Sequence, residues 1–324
     1  MSKKKNIAAP TPAPTGKIYD FCGKKKMILA IAIAVILALV VGVAVRGVDL
    51  AIEFKGGTML TYSYTGDLDM NAAAAKAQEI VGVNVSARQG EDLESDGYQL
   101  TLSFSSEEGL NADRQFELTS ALTEMFPDNN LELFDSNDVS PSSGREFLLK
   151  CFLAMVVAAV LIIIYIAVRF SKIGGWSAGI CSIFALCHDL VAALAASIIF
   201  GFEFNANIVA VILTILGYSI NNTIVIYDRI RENRQLYPKA DLNELINMGC
   251  SQSLRRSVRT SITTIGTMVI VAIVVFVSGY NSLLSFAVPL IFGLVSGTYS
   301  SLFVAPVTWS WWKNKSAKKK AKND

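Results

Sequence analysis

An adjacent histidine and aspartate, His188 and Asp189, lie within a long apolar stretch of the sequence. Imidazole titrates near neutral pH, so such a pair could relay protons. The alternative is a pair that hydrogen-bonds neighbouring helices for packing, and the sequence leaves both interpretations open. His188 is the single histidine of the chain. An intramembrane hydrolase would need more ligands or a nucleophile at the same depth. Neither a cofactor nor a metal site is predicted.

Two adjacent asparagines, Asn221 and Asn222, lie in another apolar run, 204–227. An amide cannot carry a proton as an acid or a base, but it donates and accepts hydrogen bonds. Such bonds between membrane helices are worth about 0.6 kcal/mol on average, so helix packing is the favoured interpretation. Arg259 opens the run 260–279. A side chain that snorkels to the membrane surface is favoured there, since a buried arginine would need a carboxylate partner.

These polar groups need membrane helices to position them. The chain of 324 residues is 52% apolar and 17% charged, with a mean hydropathy of +0.44. About 20 apolar residues cross a bilayer, and six runs are long enough. The first is interpreted as a retained anchor because a long tail precedes it and no cleavage site of the usual kind is evident. The six predicted helices are 27–45, 151–168, 174–200, 204–227, 260–279 and 283–312.

Lysine and arginine are concentrated on one side of the predicted helices. If six helices alternate in direction, 22 of the 29 cations fall in the two tails and in the loops on the same side. The positive-inside rule then makes both termini cytoplasmic. The predicted regions are cytoplasmic tails 1–26 and 313–324, an outward domain 46–145, and a membrane domain 146–312 with a cytoplasmic loop 228–258.

The outward domain shows a strand and helix pattern of its own. Alternating segments predict strands over 58–65, 83–89, 98–104 and 131–139, with a hairpin loop over 90–97. One helix is predicted over 69–81, with Asp69 or Asn71 as its cap. A second helix is predicted over 107–126, where Ser105 and Glu108 fit a capping box. The order βαββαβ is that of ferredoxin-like domains. The fold class is therefore a polytopic α-helical membrane protein with one α+β domain, and that domain's fold implies no activity.

Five segments carry a resemblance to a known family. The chain resembles the SecF family of protein-export membrane proteins, in the RND superfamily. The segments are EFKGGT (53–58), ALCHDL (185–190), GYSINNTIVIYDRIREN (217–233), LRRSVRTSITT (254–264) and GLVSGTYSS (293–301). The last also carries small residues at helical spacing, which allow close helix packing. Positions matching the family motifs are Phe54, Gly56, Gly57, Gly217, Tyr218, Asp228, Arg229, Arg231, Glu232 and Asn233.

The resemblance implies a non-enzymatic auxiliary subunit of the Sec protein-export machinery in the plasma (inner) membrane of a prokaryote. Its implied partners are a SecD-like subunit with six more helices, the SecYEG channel, YajC-like and YidC-like accessory proteins, the translocating polypeptide and the lipid bilayer. No nucleic acid and no cofactor are implied. The implied energy source is the proton-motive force or another ion gradient. The alternative function is a small-molecule exporter of the RND type, assembled without a SecD-like subunit.

One position departs from the family pattern. The family commonly has aspartate where this chain has Asn222, whereas Arg259 matches the family's arginine. Two outcomes follow from this departure. Protons pass through a carboxylate of the SecD-like partner, with Arg259 as its counter-charge, or the driving ion or the strength of coupling differs.

Overall fold

The computed structural model describes residues 17–91, 97–105, 110–278 and 281–323. Helices and strands alternate in the first half of the chain, and long helices alone make up the second half. In chain order they are α1 (Lys25–Arg46), α2 (Ile52–Lys55), β1 (Gly57–Tyr64), α3 (Met70–Val81), β2 (Val85–Glu91), β3 (Tyr98–Phe104), α4 (Ala112–Met125), β4 (Glu132–Val139), α5 (Pro141–Arg169), α6 (Gly175–Phe200), α7 (Ala206–Leu236), α8 (Leu242–Val277), α9 (Asn281–Tyr299) and α10 (Ala305–Asn323).

Six helical segments within the described residues are long and apolar enough to cross a membrane. They are α1, α5, α6, α7, α8 and a composite of α9 and α10 over Leu283–Ala317. The six predicted membrane helices are thus confirmed. A π turn, Ser300–Val304, joins α9 to α10. The composite helix and α6 are the most enclosed of the six, with 61% and 50% of their apolar windows buried, so the centre of the bundle lies between them.

A four-stranded antiparallel sheet lies between α1 and α5 in the chain. Its strand order is β2-β3-β1-β4, with Thr58 opposite Phe104 between β1 and β3. Alternate residues of β1 point to one face, where Leu60 and Tyr62 are fully buried. Both α3 and α4 pack on that face, and Leu118 of α4 joins the same apolar cluster. Two helices therefore cover one face of the sheet, as period-two alternation requires.

The helix caps of this domain partly match the prediction. Asp69 caps α3 by accepting hydrogen bonds from the backbone N–H groups of Asn71 and Ala72, which confirms one of the two predicted caps. The second helix begins later than predicted, at Ala112, because Asn111 accepts from the N–H of Arg114 and so provides its cap. Of the predicted capping box, Glu108 lies outside the described residues, as do 92–96 of the predicted hairpin loop.

The predicted loop 228–258 is mostly helical. Helix α7 continues to Leu236 and α8 begins at Leu242, because both helices keep an apolar side along these ends. On those sides Ile230 and Ile246 are fully buried in one shared apolar cluster. The two helices therefore form a hairpin that extends the bundle. The helix predicted from 151 also begins earlier, at Pro141.

Candidate functional site

Asp189 is the centre of a polar cluster inside the membrane domain. It lies on α6 and is 0% exposed. Three serine hydroxyls from other elements donate to its carboxylate. Ser219 of α7 and Ser300 of the π turn donate to Oδ2, at 2.6 Å each, and Ser296 of α9 donates to Oδ1 at 2.7 Å. Charge-assisted O–H···O⁻ bonds have this length, so three elements converge on one carboxylate.

His188 lies at the edge of the same cluster. Its Nδ1 atom is 3.3 Å from Asp189 Oδ1 and 3.2 Å from Ser296 Oγ. The ring packs near Tyr299, with 6.4 Å between ring centroids. Its Nε2 atom is buried and has no hydrogen-bond partner within the described part of the chain. The structure therefore places His188 and Asp189 in one polar cluster, with three serines around the carboxylate.

Small residues of α9 make this convergence possible. A Cβ at Gly297 would lie 3.2 Å from the Cβ of Ser219 and 3.5 Å from Asp189 Oδ2. A Cβ at Gly293 would overlap the side chain of Ile215. Both glycines therefore let α9 approach α6 and α7 closely enough for serine, the shortest hydroxyl side chain, to reach Asp189.

The two asparagines lie on different faces of α7. Asn222 is buried, and its Nδ2 atom has no partner among the described residues. Asn221 is exposed on the outside of the bundle. Adjacent residues of a helix are about 100° apart around its axis, which is why one faces the interior and the other does not. Asn222 is one turn beyond Ser219 and so lies next to the cluster along α7.

Arg259 lies on the outer surface of α8, away from Asp189. Its side chain is exposed, and within the described chain its guanidinium makes no ion pair. The buried face of α8 at the same level carries Ser261. Its Oγ accepts from Tyr218 Oη at 2.8 Å and lies 2.7 Å from Thr298 Oγ1. Tyr218 thus ties α7 to α8, while Arg259 faces outward.

The charged motif at the C-terminal end of α7 joins this helix to α5 and α8. Asp228 accepts from Arg169 of α5 at 3.1 Å and from Arg231 at 2.6 Å. Arg229 and Asn233 both donate to Gln252 of α8, at 2.7 and 2.9 Å. Arg229 also forms an ion pair with Glu232 within α7. These motif residues hold α5, α7 and α8 in place, and they do not reach the carboxylate cluster. The neighbouring motif residue Gly217 is exposed on α7.

The glycine motif after α1 makes the joint between the sheet and the membrane helices. Gly56 has φ of 82°, and a Cβ there would overlap Pro141 at the start of α5. Gly57 has φ of 147°, and a Cβ there would overlap the carbonyl oxygen of Phe104. Phe54 is buried and stacks on Phe147, with 5.5 Å between centroids. Only glycine fits this close backbone approach.

A second contact links the α+β domain to the turn between α6 and α7. Glu203 in that turn pairs with Arg88 of β2 at 2.8 Å and accepts from Ser86 at 3.2 Å. Burial raises the pKa of Glu203, and this effect exceeds the opposing effect of Arg88. Glu53 caps α7 by accepting from the N–H of Ala206. The domain is therefore anchored at the N-terminal end of α7, the helix that carries Ser219.

Six candidate spanning helices around a buried carboxylate, with a small α+β domain at one end, define a polytopic membrane protein with a polar centre enclosed in its bundle. The family model described as "Protein export membrane protein SecD/SecF, C-terminal" matches residues 117–315. The chain is 33% identical over 290 residues to the protein translocase subunit SecF of Petrotoga mobilis, covering 88% of this chain and 93% of that one. The chain therefore belongs to the SecD/SecF family and aligns with its SecF members.

Further comparisons agree with this assignment. SecF of Rickettsia bellii is 33% identical over 294 residues, covering 89% of this chain and 92% of that one. A crystal structure of SecDF from Thermus, described as a translocon-associated membrane protein, matches with a TM-score of 0.75 and 28% identity. The match covers 94% of this chain and 40% of that chain. The chain thus spans about two fifths of the solved SecDF chain and nearly the full length of the SecF relatives.

The sequence pattern identified the carboxylate of Asp189 but not the serines that donate hydrogen bonds to it. Ser219, Ser296 and Ser300 lie within the quoted family segments, but serine is common in packed membrane helices. Their spacing shows a shared target only after the helices are placed. The signal that could have found them is the coincidence of serines with Gly293 and Gly297 in one segment opposite a lone buried carboxylate.

Proposed function

We propose that this chain is the SecF-type subunit that works with a SecD-like subunit in Sec protein export. The observation that supports this most is the similarity to SecF relatives along nearly their whole length. The solved SecDF chains are more than twice as long as the part that this chain matches. We propose that a separate SecD-like subunit supplies what the unmatched part of those chains supplies. The matches give no support to a small-molecule exporter.

We place the α+β domain outside the cytoplasm, and both termini inside, in the plasma membrane of a prokaryote. The distribution of lysine and arginine supports this orientation. We assign the domain to the ferredoxin-like class, because the strand order β2-β3-β1-β4 and the two helices on one face fit that class. Its proposed limits are 46–145, between tails 1–26 and 313–324 and beside the membrane domain 146–312.

Ion coupling is assigned to the intramembrane polar residues. Asp189, with His188 beside it, is the proposed ion-carrying carboxylate of this chain, because Asn222 cannot titrate. The exposed position of Arg259 fits an arginine that faces a carboxylate of the partner subunit. Asn221 lies on an exposed face of the bundle as well. SecYEG, YajC-like and YidC-like proteins and the translocating polypeptide are the further proposed partners.

Depletion of the protein tests the proposal. Secreted precursors are pulse-labelled in depleted cells, and we expect their maturation to slow; unchanged export kinetics contradict the function. Copurification tests the partner, because a stable complex with a SecD-like subunit is expected and a homotrimer supports the exporter instead. Orientation is tested with single cysteines at two exposed positions, Ser136 and Lys239, in a cysteine-free background. An impermeant thiol reagent should label only the first.

A further inference from the structure

We propose that the groove between the chain segment 17–22 and helix α8 binds the headgroup of an anionic phospholipid. The groove has a volume of about 550 Å³ and is open to the outside of the bundle. Its described lining includes no residue of the Asp189 cluster, so it is a separate site. The ligand chemistry is a phosphodiester of net negative charge with acyl chains attached.

Hydrogen bonds tie the segment before α1 to the side of α8. The backbone N–H of Tyr19 donates to Ser251 Oγ at 2.9 Å. The N–H groups of Phe21 and Cys22 both donate to Asn247 Oδ1, at 3.0 Å each. Asn247 and Ser251 are one turn apart on the same face of α8. The segment therefore lies along α8 and forms one wall of the groove, with α8 as the other wall.

The groove carries positive charge without a matching acid. Its described lining contains no acidic residue and three cations, which are Lys17, Arg255 and Arg259. Within the described chain none of the three forms an ion pair. The acid of the segment, Asp20, is engaged elsewhere, because its carboxylate accepts from the N–H of Gly23 at 2.8 Å and from Asn247 Nδ2 at 3.0 Å. The groove therefore matches an anionic ligand in charge.

The cations of α8 lie at the depth of lipid headgroups. Arg259 is the last charged residue of this helix, and the run 260–277 that follows it contains no charge. As a helix this run is about 27 Å long, close to the thickness of a bilayer core, about 30 Å. Arg255 is one turn further from the core. Basic pockets at this level of membrane helices bind anionic headgroups.

An apolar stripe continues from the groove along α8. Leu254 and Val258 line the groove beside the cations. Ile262 follows one turn later and is 65% exposed. Residues four apart are neighbours on a helix surface, so these side chains lead from the cations into the uncharged run. A phospholipid presents its charge and its acyl chains in the same order, whereas a soluble anion would use the cations alone. The stripe therefore favours a lipid.

The site does not depend on Arg259, which is proposed above to face a partner subunit. Lys17 and Arg255 both remain in the groove when Arg259 is engaged by a partner. The Lys17 Nζ atom lies over the ring of Tyr19, 5.4 Å from its centroid, and the backbone of Tyr19 is bonded to α8. The experiment therefore changes Lys17 and Arg255 and leaves Arg259 in place.

Native mass spectrometry of the purified full-length chain, released from detergent, tests the site. The chain is titrated with phosphatidylglycerol, with phosphatidylcholine and with inorganic phosphate, and the bound mass is measured for each. We expect phosphatidylglycerol to bind more tightly than the other two. Arg255→Ala and Lys17→Ala should each weaken its binding about tenfold. Arg255→Lys should keep most of it, because the charge remains.

Arg256→Ala is the matched control. Arg256 is an exposed arginine next to Arg255 in α8, so it lies at the same depth, but it does not line the groove. Its loss removes the same charge and should leave the affinity for phosphatidylglycerol nearly unchanged. Asn247→Ala removes no charge but releases the N–H groups of the segment. It should also weaken binding, because Lys17 is then no longer held beside α8.

Three results overturn the site. They are equal affinity for phosphatidylglycerol and phosphatidylcholine, an equal loss in Arg255→Ala and Arg256→Ala, and binding of inorganic phosphate as tight as that of the lipid. If Arg255→Ala aggregates on size exclusion, Arg255→Gln and Lys17→Ala decide, and unchanged affinity in both refutes the site. The measurement uses no export assay, so its failure leaves the proposed function untouched, and unchanged export in depleted cells leaves the lipid site untouched.

Discussion

The hydroxyl of Ser300 donates to Asp189 Oδ2 at 2.6 Å and so joins the first residue of the π turn to the middle of α6. Ser219 donates to the same oxygen from α7. A carboxylate shared in this way couples three helices through short polar contacts. Contacts of all three helices therefore depend on the state of one carboxylate.

We first predict that Asp189→Asn stops ion coupling while keeping the fold. The amide has nearly the shape of the carboxylate, but it carries no charge for an ion to balance. Export of a pulse-labelled precursor should slow about tenfold or more in a strain that depends on the variant. Ser197→Ala is the control and should export normally. Normal export in the Asn variant would show that Asp189 serves only packing.

Ser300→Ala should lower the free energy of unfolding by about 1 to 2 kcal/mol, because it removes a hydrogen bond to a charged group. Denaturant unfolding of the purified chain in bicelles measures this value. The matched change Ser197→Ala removes only a bond to a backbone carbonyl of the same helix and should cost clearly less. Equal costs for the two variants would mean that the Ser300–Asp189 contact contributes nothing specific.

Gly57→Ala should destabilise the joint between the sheet and the membrane helices. The new Cβ would overlap the carbonyl oxygen of Phe104, so strands β1 and β3 must separate there. Gly82→Ala is the control, since Gly82 also has positive φ but has open space around it, and it should cost only about 1 to 2 kcal/mol of backbone strain. Limited proteolysis of the α+β domain should show faster cleavage in the Gly57→Ala variant alone.

The exposed arginine of α8 should matter only in the complex. We expect Arg259→Ala to impair export and Arg259→Lys to spare part of it, because a lysine keeps the charge but not the planar guanidinium. The stability of the isolated chain should stay the same, since the side chain is exposed. Normal export in Arg259→Ala would make this residue a membrane-surface anchor.

The variant Asn222→Asp tests whether the ion route that uses an aspartate at this position in the family is still present. Asn222 is buried beside the Asp189 cluster, so an aspartate there brings a second titratable group to the same region. We expect export to be kept or raised if the surrounding route is intact. Loss of export, with the variant still inserted and folded, would indicate that the path through Asp189 excludes a second carboxylate.

Glu203 gives a prediction about pH. Its pKa in the folded protein is raised above the usual 4.5 by burial, so the folded state holds the proton more tightly than the unfolded state. Stability from this group is therefore fully present below the unfolded pKa and is lost as the pH rises through the folded pKa. Glu203→Gln removes this loss of stability. The Tm of the variant, relative to that of the unchanged chain, should therefore rise with pH from about pH 4.5 upward. Glu79→Gln, at an exposed position, should show no such gain.

The sequence predicted the elements better than the contacts. Membrane helices were predictable because lipid demands long apolar runs, and the sheet was predictable from alternation in β1 and β3. The start of α4 was misplaced because Ser105 and Asn111 both suit a cap, and the structure uses Asn111. Local propensity does not contain that information.

The site was less predictable than the fold. Asn221 and Asn222 share one motif, yet only the buried one lies beside the carboxylate, and Arg259 turns away from it. Residue type could mark Asp189 as costly in lipid. The identity of its three hydroxyl partners depends on how α7 and α9 cross α6, a relation that no single segment encodes.

The π turn has a mechanical consequence. A regular α-helix advances by about 100° per residue, while the turn at Ser300–Val304 accommodates one extra residue in its winding. If these five residues rewound into an ordinary α-helix, α9 would rotate by about that angle relative to α10. Ser296 and Ser300 would then swing away from α6 together. Such a rewinding would take two of the three hydroxyl partners away from Asp189 without a hinge loop.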